Sequence, residues 1–195
     1  IAKGEGEARR EHKFIRADRF PTIEEAADFA LMKGRQIVDQ QLRQAGWQAD
    51  STTLTYAKGT RPARGKNLAI AEWPTMSGPA DYVLFIGLMP VAVVEAKRKH
   101  VDVSAALQQA KRYSRTFSPC EVTQLHPQNW GEQHEFRIPF VFATNGRPYL
   151  RQLATKSGIW FRDLRATTNH ARPLMNWNCP AELLAMLDQH DAGAA

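Results

Sequence analysis

The sequence predicts an α/β protein with a mixed β-sheet flanked by helices. Three observations carry this: a helical period over residues 23–45, two apolar runs within 82–94 separated by Gly87 and Pro90, and a second helical stretch from Val103 to Phe117 followed by more strand-like runs. Helices interleaved with strands in that order build a sheet covered by helices rather than a bundle or a sandwich. The 195 residues suffice for one domain of ordinary size, and the 43% hydrophobic and 24% charged fractions with a mean hydropathy of −0.46 describe a globular chain with a real core.

Residues 1–20 are polar and charged without clear period, and read as a loose lead-in to a domain spanning 21–190. Their stretch "IAKGEGEARREHKF" has no apolar segment of the signal-peptide kind and no initiator Met, which suggests a piece of a longer chain. Thr22 with Glu25 three residues on forms a capping box. Ile23, Ala26, Ala27, Ala30, Leu31, Ile37, Val38, Leu42 and Ala45 then mark one buried helix face, with Gly34 a weak point and Gly46 a C-cap.

"STTLTYA" (51–57) alternates like a strand, "KGTRPARGK" (58–66) reads as a basic loop, and "NLAIAEW" (67–73) is a further strand. The loop is no P-loop. Five residues separate Gly59 from Gly65, and Asn67 stands where a Mg²⁺-binding hydroxyl belongs. "RIPFVFATNG" (137–146) and "SGIWFRDLR" (157–165) are strands, and "PAELLAML" (180–187) is an amphipathic helix with Pro in its first turn. Cys120 and Cys179 are the only cysteines and show no zinc-ligand spacing, so both are expected to be free thiols. The longest apolar run, Tyr82 to Val94, is 13 residues and too short for a membrane span. Lys and Arg number 26 against 20 Asp and Glu, with a pI near 9.5, which favours a polyanionic partner.

The chemistry is concentrated in "ADYVLFIGLMPVAVVEAKRKH" (80–100). With the turn at Gly87–Pro90, strand alternation puts Val91, Val93, Glu95 and Lys97 on one face, and Asp81 at the same end of the hairpin as Glu95. Two carboxylates and an ammonium at the rim of an apolar sheet form either a structural salt bridge or a Mg²⁺ site. Mg²⁺ takes few protein oxygens and keeps several waters.

Asp81, thirteen intervening residues, then Glu95-Ala96-Lys97 resembles the signature of the PD-(D/E)xK nuclease superfamily. Gln109 and Tyr113, four apart on the following helix, resemble an accessory motif of the restriction (motor) subunits of type I restriction–modification enzymes. "DQQLRQAGWQAD", "AIAEWPT", "TNGRPYLRQLATKSGIWFRDLR" and "PAELLAML" extend the likeness in order over roughly residues 35–187. The resemblance implies a restriction-endonuclease-like core, the N-terminal nuclease domain of such a subunit. It implies Asp81 and Glu95 as Mg²⁺ ligands (Mn²⁺ substituting), Lys97 as catalytic lysine, and Gln109 and Tyr113 in support. It also implies double-stranded DNA as substrate, methyltransferase and specificity subunits as partners, a separate ATP-driven translocase in the longer chain, and a bacterial or archaeal cytoplasm as location.

Candidate phosphate contacts are Lys99, His100, Lys111, Arg112 and Arg115 beside the hairpin and on the next helix, with Arg61, Arg64 and Lys66 in the basic loop. Two features depart from the family pattern. Ala80 separates Pro79 from Asp81, and the first helix offers no Glu within "ALMKGRQ", leaving Glu24, Glu25 or Asp39 as substitutes. Glu72 is either a further ligand or a surface residue. The competing reading is a non-catalytic DNA-binding or docking module on the same fold; a junction resolvase of that superfamily fits the length of the likeness less well.

Overall fold

The computed structural model describes residues 22–97, 103–146 and 157–193, with backbone alone for helix residues 23, 24, 26–31, 104 and 190–193. The lead-in expected at 1–20 lies outside the described residues. Helix α1 (Ile23–Gln44) starts where Thr22 Oγ1 accepts the Glu25 N–H at 3.1 Å. It runs through Gly34 without a break and stops where Gly46 adopts φ +91°, a conformation glycine takes without steric cost. Val38 and Leu42 bury its inner face.

Among the described residues, seven strands form one sheet in simple sequence order: β1 (Gln48–Ala49), β2 (Asn67–Trp73), β3 (Ala80–Ile86), β4 (Met89–Ala96), β5 (Phe140–Thr144), β6 (Ile159–Asp163) and β7 (Arg172–Leu174). The β1–β2 and β4–β5 pairs are parallel and the others antiparallel, giving the mixed sheet expected from sequence. Parallel neighbours need a crossover. Helix α2 (Val103–Arg115) supplies it between β4 and β5, and packs on β4, β5 and β6. Helix α3 (Pro180–Gly193) has Pro180 as its first residue and buries Leu183 and Leu187.

Two expectations are corrected. Residues 51–57 are a turn, not a strand. Asp50 Oδ1 accepts the Thr52 N–H at 2.9 Å and Asp50 O accepts the Leu54 N–H at 2.7 Å, so the local side chain closes the backbone on itself. Only Thr55 makes an isolated bridge, to Ala71. The hairpin turn is likewise tighter than Gly87–Pro90. Gly87 (φ +60°) and Leu88 make it alone, while Pro90 lies in β4 opposite Phe85, beside the register shift at Leu84/Phe85. A Pro inside a strand is tolerated at such an irregularity because the missing N–H interrupts no regular ladder bond.

The central strands are buried on both faces: five of the seven β3 residues, six of the eight in β4 and all five in β5. Trp73 stacks on Phe117 with centroids 5.6 Å apart, and Phe85 lies 4.7 Å from Trp73. Cys120 and Cys179 are free thiols. Among the described residues, no helix is long and apolar enough to cross a membrane.

Candidate active site

The polar end of the β3–β4 hairpin interrupts this apolar sheet. Asp81, second residue of β3, directs Oδ2 to the Ala96 N–H at 2.8 Å, so the carboxylate is fixed across the hairpin by the backbone of the other strand. Glu95, the penultimate residue of β4, is only 3% exposed. Its Oε1 holds Lys97 Nζ at 2.6 Å, while its Oε2 is buried with no hydrogen-bond partner. Lys97 follows β4, and its N–H donates to Thr144 O at 2.7 Å, which pins that end of β4 against β5.

Helix α2 completes the set. Lys97 Nζ donates to Gln109 Oε1 at 2.8 Å, and Gln109 Nε2 donates to the Tyr113 hydroxyl at 2.6 Å. The i,i+4 spacing places the amide and the phenol one above the other on the helix. Tyr113 is 6% exposed, so its ring is part of the core while its hydroxyl steers Gln109. The expected five residues therefore meet in one place: Asp81 beside Glu95, then Glu95–Lys97–Gln109–Tyr113 as a hydrogen-bonded chain.

The electrostatics are those of two crowded, desolvated acids. Burial raises the Glu95 pKa to about 7, and the negative charge of Asp81 adds to the shift against the opposing pull of Lys97. Burial also raises Asp81, countered by the Ala96 N–H and by the charges of Arg35 and Lys97. Among the described residues no group of three His, Cys, Asp or Glu side chains converges as a metal-binding cluster. Two carboxylates nevertheless fit Mg²⁺, which binds through one or two of them plus water. The orphaned Glu95 Oε2 is a ligand of the required kind, since a buried carboxylate oxygen without a donor is costly unless a cation or a proton meets it.

Asp39, one candidate for the first-helix acid, has both oxygens engaged by Tyr82 and Ser51. Asp39 is buried and accepts from the Tyr82 hydroxyl (3.0 Å), the Ser51 N–H (2.9 Å) and Ser51 Oγ (2.7 Å), all structural bonds. Glu25 is exposed at the helix start, and the Glu24 side chain lies outside what is described. What α1 brings to the site is a cation that the sequence reasoning missed. Arg35 Nη1 donates to Glu72 Oε1 at 2.7 Å and Arg35 Nη2 lies 3.6 Å from Asp81 Oδ1. Burial opposes the charge on Arg35, but Glu72 and Asp81 outweigh it and raise its pKa. The only sequence clue was the Arg35/Asp39 pair, one turn apart on a helix whose buried side meets the hairpin.

The basic candidates separate. Lys99 and His100 lie outside the described residues. Lys111 and Arg115 flank the Phe136 ring, with Lys Nζ 5.7 Å and Arg Cζ 4.8 Å from its centroid, and Arg115 also pairs with Glu135 at 3.5 Å. Burial and then the charges of Arg162 and Arg115 lower the Lys111 pKa. Arg112 is exposed. Arg61 lies 3.8 Å over the Tyr56 ring and donates to Tyr56 O and Thr60 O, within its own loop. Arg64 and Lys66 are exposed, but Lys66 O accepts the Gly87 N–H at 2.8 Å, which places them at the turn end of the hairpin. Strand β3 puts that end about 17 Å from Asp81 at a rise of about 3.4 Å per residue.

Comparison with known proteins gives the chain a family. Residues 48–187 match the family model described as the second domain of the type I restriction enzyme EcoKI endonuclease subunit. A second model, for the transcriptional activator HlyU, matches residues 1–45, too little of the chain to show a family. The type I restriction enzyme EcoKI endonuclease subunit of Escherichia coli (strain K12) is 46% identical over 190 residues, an alignment covering 85% of this chain. The chain spans 16% of the length of that relative. No solved structure matches. With a family model over most of the chain and a relative this similar, the chain belongs to the family of type I restriction enzyme endonuclease subunits.

Proposed function

We propose that this chain is the DNA-cleaving module of a type I restriction subunit, hydrolysing phosphodiester bonds with Mg²⁺ and without sequence preference of its own. The observation that carries the reading is the orphaned, buried Glu95 Oε2 beside Asp81, at the strand end where Lys97 is also held. Asp81 and Glu95 would hold the ion, which supplies positive charge against the two carboxylates and against the charge that builds on a phosphate. Lys97 is positioned by Glu95 and Gln109 to place an ammonium donor against a non-bridging phosphate oxygen, where negative charge builds in the transition state. Water attacks phosphorus in line and gives up a proton to solvent, the P–O3′ bond breaks, and the leaving 3′ oxygen takes a proton from solvent. Gln109 and Tyr113 act by orienting Lys97. The partners in this reading are double-stranded DNA and the methyltransferase and specificity subunits, with ATP used by a translocase outside this chain.

The experiment is cleavage by the assembled enzyme carrying Asp81→Ala, Glu95→Ala or Lys97→Ala. Each is expected to abolish cutting with the fold retained, because truncation at a polar strand end opens no apolar cavity. Normal cutting by Glu95→Ala would end the nuclease assignment and leave a module that only binds DNA or its partner subunits.

A further inference from the structure

Arg35 and Glu72 have no place in the chemistry above, yet they adjoin it. In the β2–β3 pairing, Ala71 faces Tyr82 and Trp73 faces Ala80, so Glu72 falls opposite Asp81. Glu72 has φ +54°, one of two non-glycine residues with positive φ among those described. A left-handed backbone at such a residue is strained and persists only where the surroundings impose it. Its side chain is 42% exposed and that of Arg35 30% exposed. An ion pair this open contributes too little to offset the strain. Stability alone does not account for the arrangement.

The guanidinium geometry supplies the missing role. Its Nη1 is firmly committed to Glu72 at 2.7 Å, whereas Nη2 stands 3.6 Å from Asp81, too long for a hydrogen bond. One edge of a planar, five-donor group is thus anchored and the other is left unsaturated at the carboxylates. Charge points the same way. Asp81, Glu95 and Glu72 against Arg35 and Lys97 leave the ionised cluster at −1. A divalent cation takes it to +1, which one phosphodiester neutralises.

We propose that Arg35 is a phosphate-binding residue of this site, gripping a backbone phosphate of the DNA at the hairpin end, and that Glu72 is its positioning residue. The inference rests on the nuclease reading and specifies how that site holds its substrate. The loose contact to Asp81 is exchanged for a charge-assisted bond to phosphate, while the Glu72 bond keeps the guanidinium in place. The left-handed turn at Glu72 aims its carboxylate at α1 instead of letting it join Asp81 as a further acid.

The test uses the assembled enzyme without nucleotide, bound to a duplex lacking any target site, in Ca²⁺ and across a salt series. Arg35→Ala is expected to lower affinity several-fold and to reduce the magnitude of the log–log salt slope by about 0.9, the value for one phosphate contact. Arg35→Lys should keep the slope and lose part of the cleavage rate. Glu72→Gln should shift affinity in the same direction by less, and the double variant should be no worse than Arg35→Ala, as for a residue acting through another. Mn²⁺ calorimetry, with Glu95→Ala as background, should show affinity unchanged or tighter in Arg35→Ala and unchanged in Glu72→Gln. An unaltered affinity and salt slope in Arg35→Ala overturn the proposal. So does a tenfold loss of Mn²⁺ affinity in Glu72→Gln, which would make Glu72 a metal ligand. If Arg35→Ala does not fold, Arg35→Gln is read by the same criteria. Failure of the nuclease reading itself is separate, since it is seen as normal cutting by Glu95→Ala.

Discussion

At the scale of single residues, Glu95 ties stability to pH. Its carboxyl takes up a proton near pH 7 when folded but near 4.5 when exposed, because burial and Asp81 disfavour the charged form. Between those values the folded state binds more protons, so the metal-free protein loses stability as pH rises through this window and stays at the lower level above it. Glu95→Gln removes the buried charge while keeping shape. At pH 8 without metal it is expected to melt higher than the wild type, by an amount on the order of 1–3 kcal/mol, and the difference should vanish near pH 4. Thermal melts across pH check this, and an inverted trend would mean that Lys97 stabilises the charged form more than burial penalises it. Tyr113 separates packing from chemistry in the same way. Tyr113→Phe keeps the ring and loses the hydroxyl that accepts from Gln109, so stability should fall by about 1 kcal/mol while cleavage falls further. Tyr113→Ala should lose about 3–5 kcal/mol through the cavity it leaves. Normal cutting by Tyr113→Phe would assign Tyr113 to the core alone.

At the scale of elements, what was legible in the sequence is what local rules decide. Asp81, Glu95 and Lys97 were legible because strand alternation and one short turn fix which residues share a hairpin end, and a slip of one residue would turn the charges to the opposite face of the sheet. Gln109 and Tyr113 were legible because helix periodicity puts them on one face. The turn at 51–57 was not, since Asp50 overrode a Thr-Leu-Thr-Tyr alternation by capturing the backbone. Strands β1 and β7 have two and three residues and carry no period to detect. Arg35 was invisible for a different reason: its partners are 37 and 46 residues away, and only the docking of α1 on the hairpin brings them together. That docking depends on Asp39, one turn further along α1, whose bonds to Tyr82 and Ser51 are its buried anchor. Asp39→Ala strands those donors and is expected to cost about 2–4 kcal/mol. Because it also loosens α1, DNA affinity should fall as in Arg35→Ala. Asp39→Ala with full DNA affinity would show that Arg35 keeps its position without this anchor.

At the scale of the whole molecule, the nuclease reading makes the site and the delivery of DNA to it separable. The sequence contains no Walker-type phosphate loop, and "GTRPARGKN" lies at the turn end of the hairpin, away from the carboxylates. The net charge is only +6, and part of it is engaged internally, as at Arg61 over Tyr56 and Arg165 against Asp163. Affinity for duplex DNA should therefore rest on a few phosphates near Arg35, Lys97 and α2. Phosphate contacts position DNA without reading bases, and their contribution drains away as salt removes the advantage of counterion release. For this chain alone we expect weak binding that is the same for two unrelated duplexes and is lost towards physiological salt. Nicking of supercoiled plasmid in Mg²⁺ should be slow or absent, and ATP should not change it. A translocase in the same polypeptide would hold duplex against the site at an effective concentration far above free encounter, which turns a weak contact into a productive one. Binding across a salt series and plasmid nicking with and without ATP test this together. Tight, salt-insensitive preference for one sequence, or cutting stimulated by ATP, would place recognition or energy input inside this chain instead of beyond it.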